Sequence, residues 1–125
     1  MRILIPVLSP KDCIDAFVER AVKGASVVHV LLVLDSNSLH ADFGFKASEI
    51  LNGRKTTDTL KRSIRAHKKL CNDIIEWGST VEKIAQIAEM KQVEKIVLHN
   101  AEKNPHFDHM QLELQHHTQI PIEII

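Results

Sequence analysis

The chain has 125 residues, 44% of them hydrophobic and 26% charged, which are the proportions of one soluble globular domain spanning 1–125. Lys+Arg and Asp+Glu each total 16, so no net field draws the protein to nucleic acid or to an anionic membrane. Its two cysteines, Cys13 and Cys71, lie far apart in apolar segments, which excludes a disulfide framework and a metal knuckle and fits a reducing compartment.

The first predicted element is a strand, because Ile3-Leu4-Ile5-Pro6-Val7-Leu8 is apolar throughout, as a strand covered on both faces of a parallel sheet must be. Pro6 lacks a backbone donor and predicts an irregularity at that point. The run is too short for a secretory signal, so a cytoplasmic address is expected. Ser9-Pro10-Lys11-Asp12 reads as a helix start with Ser9 as cap, and Ile14, Phe17, Val18 and Ala21 follow at helical spacing up to a stop at Gly24. Val27 to Leu34 is the second strand, interrupted by His29 and far too short to cross a bilayer.

Residues 36–55 show no clean period. Lys46 to Leu51 predicts a short helix ending at Asn52-Gly53, and a second helix is expected from Thr57 to about Leu70, with Leu60, Ile64 and Cys71 inward. Asp73 to Trp77 reads as a short third strand at a sheet edge. Ser79-Thr80-Val81-Glu82 matches a capping box that opens a helix faced by Val81, Ile84, Ala85 and Ala88. Ile96-Val97-Leu98 is the fourth strand, Asn104-Pro105 opens a last helix to about His117, and Ile120 to Ile125 is the fifth strand. Strands alternating with helices predict an α/β fold, with a mainly parallel sheet and helices on both faces.

At the end of the fourth strand such folds commonly hold a phosphate in a glycine loop. This sequence has no glycine after Gly78, so the stretch from His99 to Pro105 must turn with side-chain-bearing residues. Those side chains crowd the approach of backbone amides to phosphate, and Glu102 and Asp108 add repulsion.

Arg2-Ile3-Leu4-Ile5-Pro6-Val7, Val27-Val28-His29-Val30, Trp77-Gly78 followed by Ile84 and Ala88, Lys95-Ile96-Val97-Leu98 and Ile120-Pro121-Ile122 together resemble the universal stress protein family over essentially the whole chain. The resemblance implies a three-layer sandwich with five strands in the order 3-2-1-4-5. It also implies a ligand crevice between strands one and four, which would place Ser9, Asp35, His99 and Asn100 as its polar groups. Two departures stand out. Many members end the first strand with an Asp that contacts ATP, where this chain has Leu8, and nucleotide-binding members carry a glycine motif after the fourth strand, where this chain has none. The family commonly dimerises through its last strand, which implies a homodimer through Ile122, Ile124 and Ile125.

Three further clusters have two readings each. His106, His109, Glu113 and His116 or His117 fall on one stripe of the last helix, a spacing that suits a divalent transition metal, although a solvated face is the preferred reading. His99 is placed to sense pH or bind a small anion, or else to bond a neighbouring loop, which is preferred. Arg54, Lys55, Lys61, Arg62, Arg65, Lys68 and Lys69 face only Asp58 as counter-charge and could meet nucleic acid or an acidic partner. Lacking interleaved aromatics, this basic stretch reads better as solvated helix surface, and no nucleic-acid or membrane partner is expected. No catalytic motif occurs. The combined reading is a non-enzymatic, dimeric stress-response or regulatory module that binds no ATP and needs no cofactor. The alternative is a small-ligand, nucleotide or metal-binding protein using the crevice near Ser9 and His99 or the His106/His109 helix face.

Overall fold

A computed structural model of the chain describes residues 1–35, 45–101 and 107–125. Strand β1 (Arg2–Pro6) lies at the centre, flanked by β2 (Val27–Asp35) and β5 (Lys95–Leu98). Beyond them lie β4 (Leu70–Trp77) on β2 and β6 (Ile122–Ile124) on β5, and all pairings are parallel. The path β4-β2-β1-β5-β6 is the predicted 3-2-1-4-5 order. A sixth strand of two residues, β3 (Phe45–Lys46), pairs with the end of β2, in sequence that carries no periodic signal.

Alternation along the buried strands sends side chains to two cores. Ile3, Ile5, Val28, Val30, Leu32 and Leu34 pack beneath α1 (Asp15–Ala21) and α2 (Ile50–Ala66). Leu4, Leu31, Val33, Ile96 and Leu98 pack beneath α3 (Thr80–Met90) and α4 (Phe107–His117). The sheet is therefore the middle of three layers. Among the described residues no helix is long and apolar enough to cross a membrane.

Pro6 sits where it costs least. Val7 donates its N–H to the carbonyl of Leu31, so the alternate residues of β1 face β2 and Pro6 faces β5. The β1–β5 pairing ends at Leu4, leaving no ladder bond for Pro6 to break.

Four local expectations are corrected. The helix read from Ser9 is a 3-10 turn (Pro10–Cys13) followed by a separate α1, with the chain extended at Ile14, which is 47% exposed instead of lying on the apolar stripe. The two helices read over 46–70 are one helix, α2, entered from a 3-10 turn at Ala47–Glu49. Gly53 does not end it; the glycine lets the helix lie close on the sheet, since a Cβ there would stand 2.9 Å from Leu32 Cδ1. β4 begins at Leu70, earlier than Asp73, and Cys71 is buried on it. The capping box at Ser79 is replaced by a distant residue, described next. Gly24 closes α1 with φ +81°, as expected, whereas α2 and α3 end in turns where Lys68 and Gln92 adopt positive φ.

Candidate functional site

Two recesses form where the strands end. The first lies beside the crossover between β1 and β5, the position at which a doubly wound sheet binds ligands. Leaving β1, the chain makes the 3-10 turn that Ser9 opens, its Oγ accepting from Lys11 N at 3.1 Å. Asp12, fully buried, closes the turn from the other side. Its Oδ2 accepts the N–H groups of Leu8 at 2.7 Å and Ser9 at 3.1 Å, while Oδ1 lies 3.0 Å from His99 Nδ1. An ionised carboxylate only accepts, so Nδ1 carries the proton of this contact. The His99 ring stacks on Phe17, with centroids 4.2 Å apart and planes 12° from parallel. Burial pushes the Asp12 carboxyl above its ordinary value of 3.8, against the hydrogen bonds from His99 and the two amides.

His99 thus bonds the turn after β1. Ser9 is tied into that same turn. Asn100 continues the chain, its N–H bonded to Ile125 O at 3.0 Å, and with His99, Phe17, Arg20 and Ile125 it lines an open groove of about 310 Å³. Asp12 is the residue that sequence reasoning missed as part of this centre, although its place three residues after Ser9 carries the signal of a reciprocal cap.

Asp35 is not part of that groove. It ends β2 at 7% exposure, and its Oδ2 accepts from Thr80 N at 3.4 Å and Thr80 Oγ1 at 3.3 Å. A strand residue thus caps α3, where the carboxylate meets the helix's positive end, and the Ser79 side chain makes no cap bond. The second recess, about 110 Å³, is lined by Asp35, Ser79, Thr80, Val81, His109, Met110 and Glu113. It joins Asp35 to two residues of the predicted metal stripe. On α4, Met110 and Leu114 are buried while His109, Glu113, His116 and His117 are exposed, the pattern of a solvated face. His106 lies outside the described residues. Among the described residues no group of three or more His, Cys, Asp or Glu is placed to hold a metal ion.

At the far edge, Asn100 N bonds Ile125 O, Ile125 N bonds Leu98 O and Ile96 N bonds Pro121 O, so Pro121, Glu123 and Ile125 face β5. Ile122 and Ile124 therefore turn their backbone N–H and C=O groups outward, with their side chains packed against the α3–α4 core.

No family model matches this sequence, and no curated protein matches it. Solved structures do. A universal stress protein from Archaeoglobus fulgidus, in complex with dAMP, superposes with TM-score 0.71 at 15% identity, over 100% of this chain and 97% of that one. A protein of the universal stress protein family from Burkholderia pseudomallei gives 0.68 at 16% identity, over 99% and 94%. A universal stress protein in complex with cAMP gives 0.60 at 11%, over 100% and 95%. The class is a doubly wound α/β sandwich, and the particular fold is that of the universal stress proteins.

Proposed function

We propose that this chain is a non-enzymatic, homodimeric module of the universal stress protein fold that does not bind ATP and serves a stress-linked or regulatory role. The observation that carries this reading is the Asp12 carboxylate. It takes up the amides of Leu8 and Ser9, so those donors are not free for a phosphate, and its other oxygen holds His99 beside the groove. The second recess, at about 110 Å³, falls below the roughly 300–1,000 Å³ usual for ligand pockets, and Asp35 and Glu113 oppose an anion there. The described residues offer no cradle for a nucleoside triphosphate. The neighbours solved with dAMP and cAMP make this a sharp test. In a thermal-shift titration ATP and AMP are expected to leave the melting temperature unchanged. A ligand at a hundredfold excess over its Kd would stabilise by about 2.7 kcal/mol, so a rise of that order with ATP overturns the reading.

A second reading rests on the recess that joins Asp35, His109 and Glu113, whose two carboxylates suit a small organic cation. An arm of the same titration with a small diamine decides it: a saturable rise that Glu113→Gln removes supports it, and no rise refutes it.

Self-association is expected through the outward backbone groups of Ile122 and Ile124. Ile124→Pro deletes one outward donor and leaves the β5 ladder intact, so this variant should sediment as a monomer where the parent is a dimer. A variant that stays dimeric moves the interface elsewhere. Two free thiols, Cys13 and Cys71, support a cytoplasmic address.

A further inference from the structure

β4 ends the sheet on the side away from β6. Leu70 N bonds Ser26 O and Gly78 N bonds Leu34 O, so the even-numbered residues of β4 face β2. In a parallel ladder the alternate residues then present N–H and C=O to the outer edge, which here are Cys71, Asp73, Ile75 and Trp77. Arg65 already reads that edge, its Nη2 donating to Cys71 O at 3.2 Å. No described residue bonds the outer groups of Ile75 or Trp77, and these residues are 37% and 54% exposed. An eight-residue strand with an apolar tip is a long edge to leave open.

The basic stretch runs along the same edge. Lys61 Nζ pairs with Asp73 Oδ1 at 2.8 Å, and Arg65 lies against Cys71, so α2 runs antiparallel to β4, four helix residues spanning two strand residues. These spans match, at about 6 Å each. Continuing the step sets Gly53 level with Trp77, with Arg54 the next residue along the helix. Arg54, Lys55, Arg62 and Arg65 are exposed, with Asp58 as the exposed counter-charge.

We propose that the outer edge of β4 and the cationic flank of α2 form a docking strip for an extended acidic segment of a partner protein, which adds to the sheet as a further strand. Backbone groups of Ile75 and Trp77 would pair with the segment, its apolar side chains would cover Ile75 and Trp77, and its carboxylates would meet Arg54, Arg62 and Arg65. A nucleic acid has no backbone N–H and C=O groups to pair with a strand's hydrogen-bond ladder, so the open edge favours peptide. The strip is independent of the ligand recesses and of β6.

Trp77 is the single tryptophan of the chain, so its fluorescence reports the strip directly. The full chain is titrated with a peptide of alternating Glu and Val as long as β4, with its Lys-Val counterpart, and with a single-stranded oligothymidine. The acidic peptide alone is expected to give a saturable blue shift. Arg54→Glu with Arg62→Glu, on the exposed helix face, should weaken binding about tenfold or more. Ile75→Pro removes an outward donor while sparing the β2 ladder and should abolish binding; if it does not fold, the charge-reversed variant decides alone. The proposal fails if no saturable shift occurs, or if binding is unchanged in the charge-reversed variant. It also fails if the oligonucleotide binds more tightly, or if the shift follows protein concentration without peptide, which would make the edge a self-association surface.

Discussion

Asp12→Ala is expected to lower the free energy of unfolding by about 3–5 kcal/mol, read from urea denaturation at neutral pH. The substitution strips the partner from two backbone amides, those of Leu8 and Ser9, and from the Nδ1–H of His99; the first is buried and the other two are partly so. Each buried donor left unmatched costs about 1–3 kcal/mol, and the replacement methyl group returns little. Asp12→Asn separates shape from charge. Its carbonyl can keep both amides and its NH₂ can meet His99 in the other tautomer, so a loss near 1 kcal/mol or less is expected.

The same pair of variants has a pH signature. Burial raises the folded-state carboxyl of Asp12 above 3.8, so over the interval above that value the native state holds the proton more tightly than the unfolded chain does. Parent stability therefore carries a term that falls as pH rises through this interval and then levels off. Asp12→Asn lacks that term, and its stability relative to the parent should rise across the same interval. An alanine variant within 1 kcal/mol of the parent would show that the turn after β1 is held by something else.

Gly53→Val is the second large effect, an expected loss of about 3 kcal/mol, or roughly 10 °C in Tm for a domain of this size. Valine is the better helix former by propensity alone, so a propensity argument predicts the opposite sign. The contact decides. A Cβ at position 53 would stand 2.9 and 3.0 Å from the two Leu32 methyls and 3.3 Å from Phe45 Cγ. Leu32 is fully enclosed and Phe45 only 3% exposed, so neither can step aside freely. Gly53→Ala sets a gain of about 1 kcal/mol in helix propensity against the same contact, and should lie between parent and valine. A valine variant as stable as the parent would mean that α2 can lift off β2 at no cost.

These two positions also show where the sequence was readable. The apolar runs of β1, β2 and β5 read as strands covered on both faces, and their spacing by helices reads as a parallel sheet, whereas the order of the strands comes from the resemblance to the universal stress protein family, which the sheet follows. Gly53 was misread because a glycine in an unpatterned stretch looks like a stop, while its reason for being there, the side chains of Leu32 and Phe45, appears only once α2 lies on β2. The cap of α3 was misread for a related cause: Ser79 and Glu82 have the right spacing, yet Asp35, 45 residues before Thr80, arrives with a stronger acceptor. The Asp12–His99 pair spans 87 residues, and the meeting of Asp35 with His109 and Glu113 likewise depends on strand order, so local spacing carries no trace of either.

The strand order has a last implication. β4 and β6 are the two terminal strands of the sheet path, on opposite sides of β1. Two protomers joined at β6 would share one continuous sheet whose outer borders are both β4, so a single assembly would offer duplicate grips facing away from each other. A target carrying two acidic segments, on a linker long enough to reach around, would be held with an avidity well beyond that of one strip.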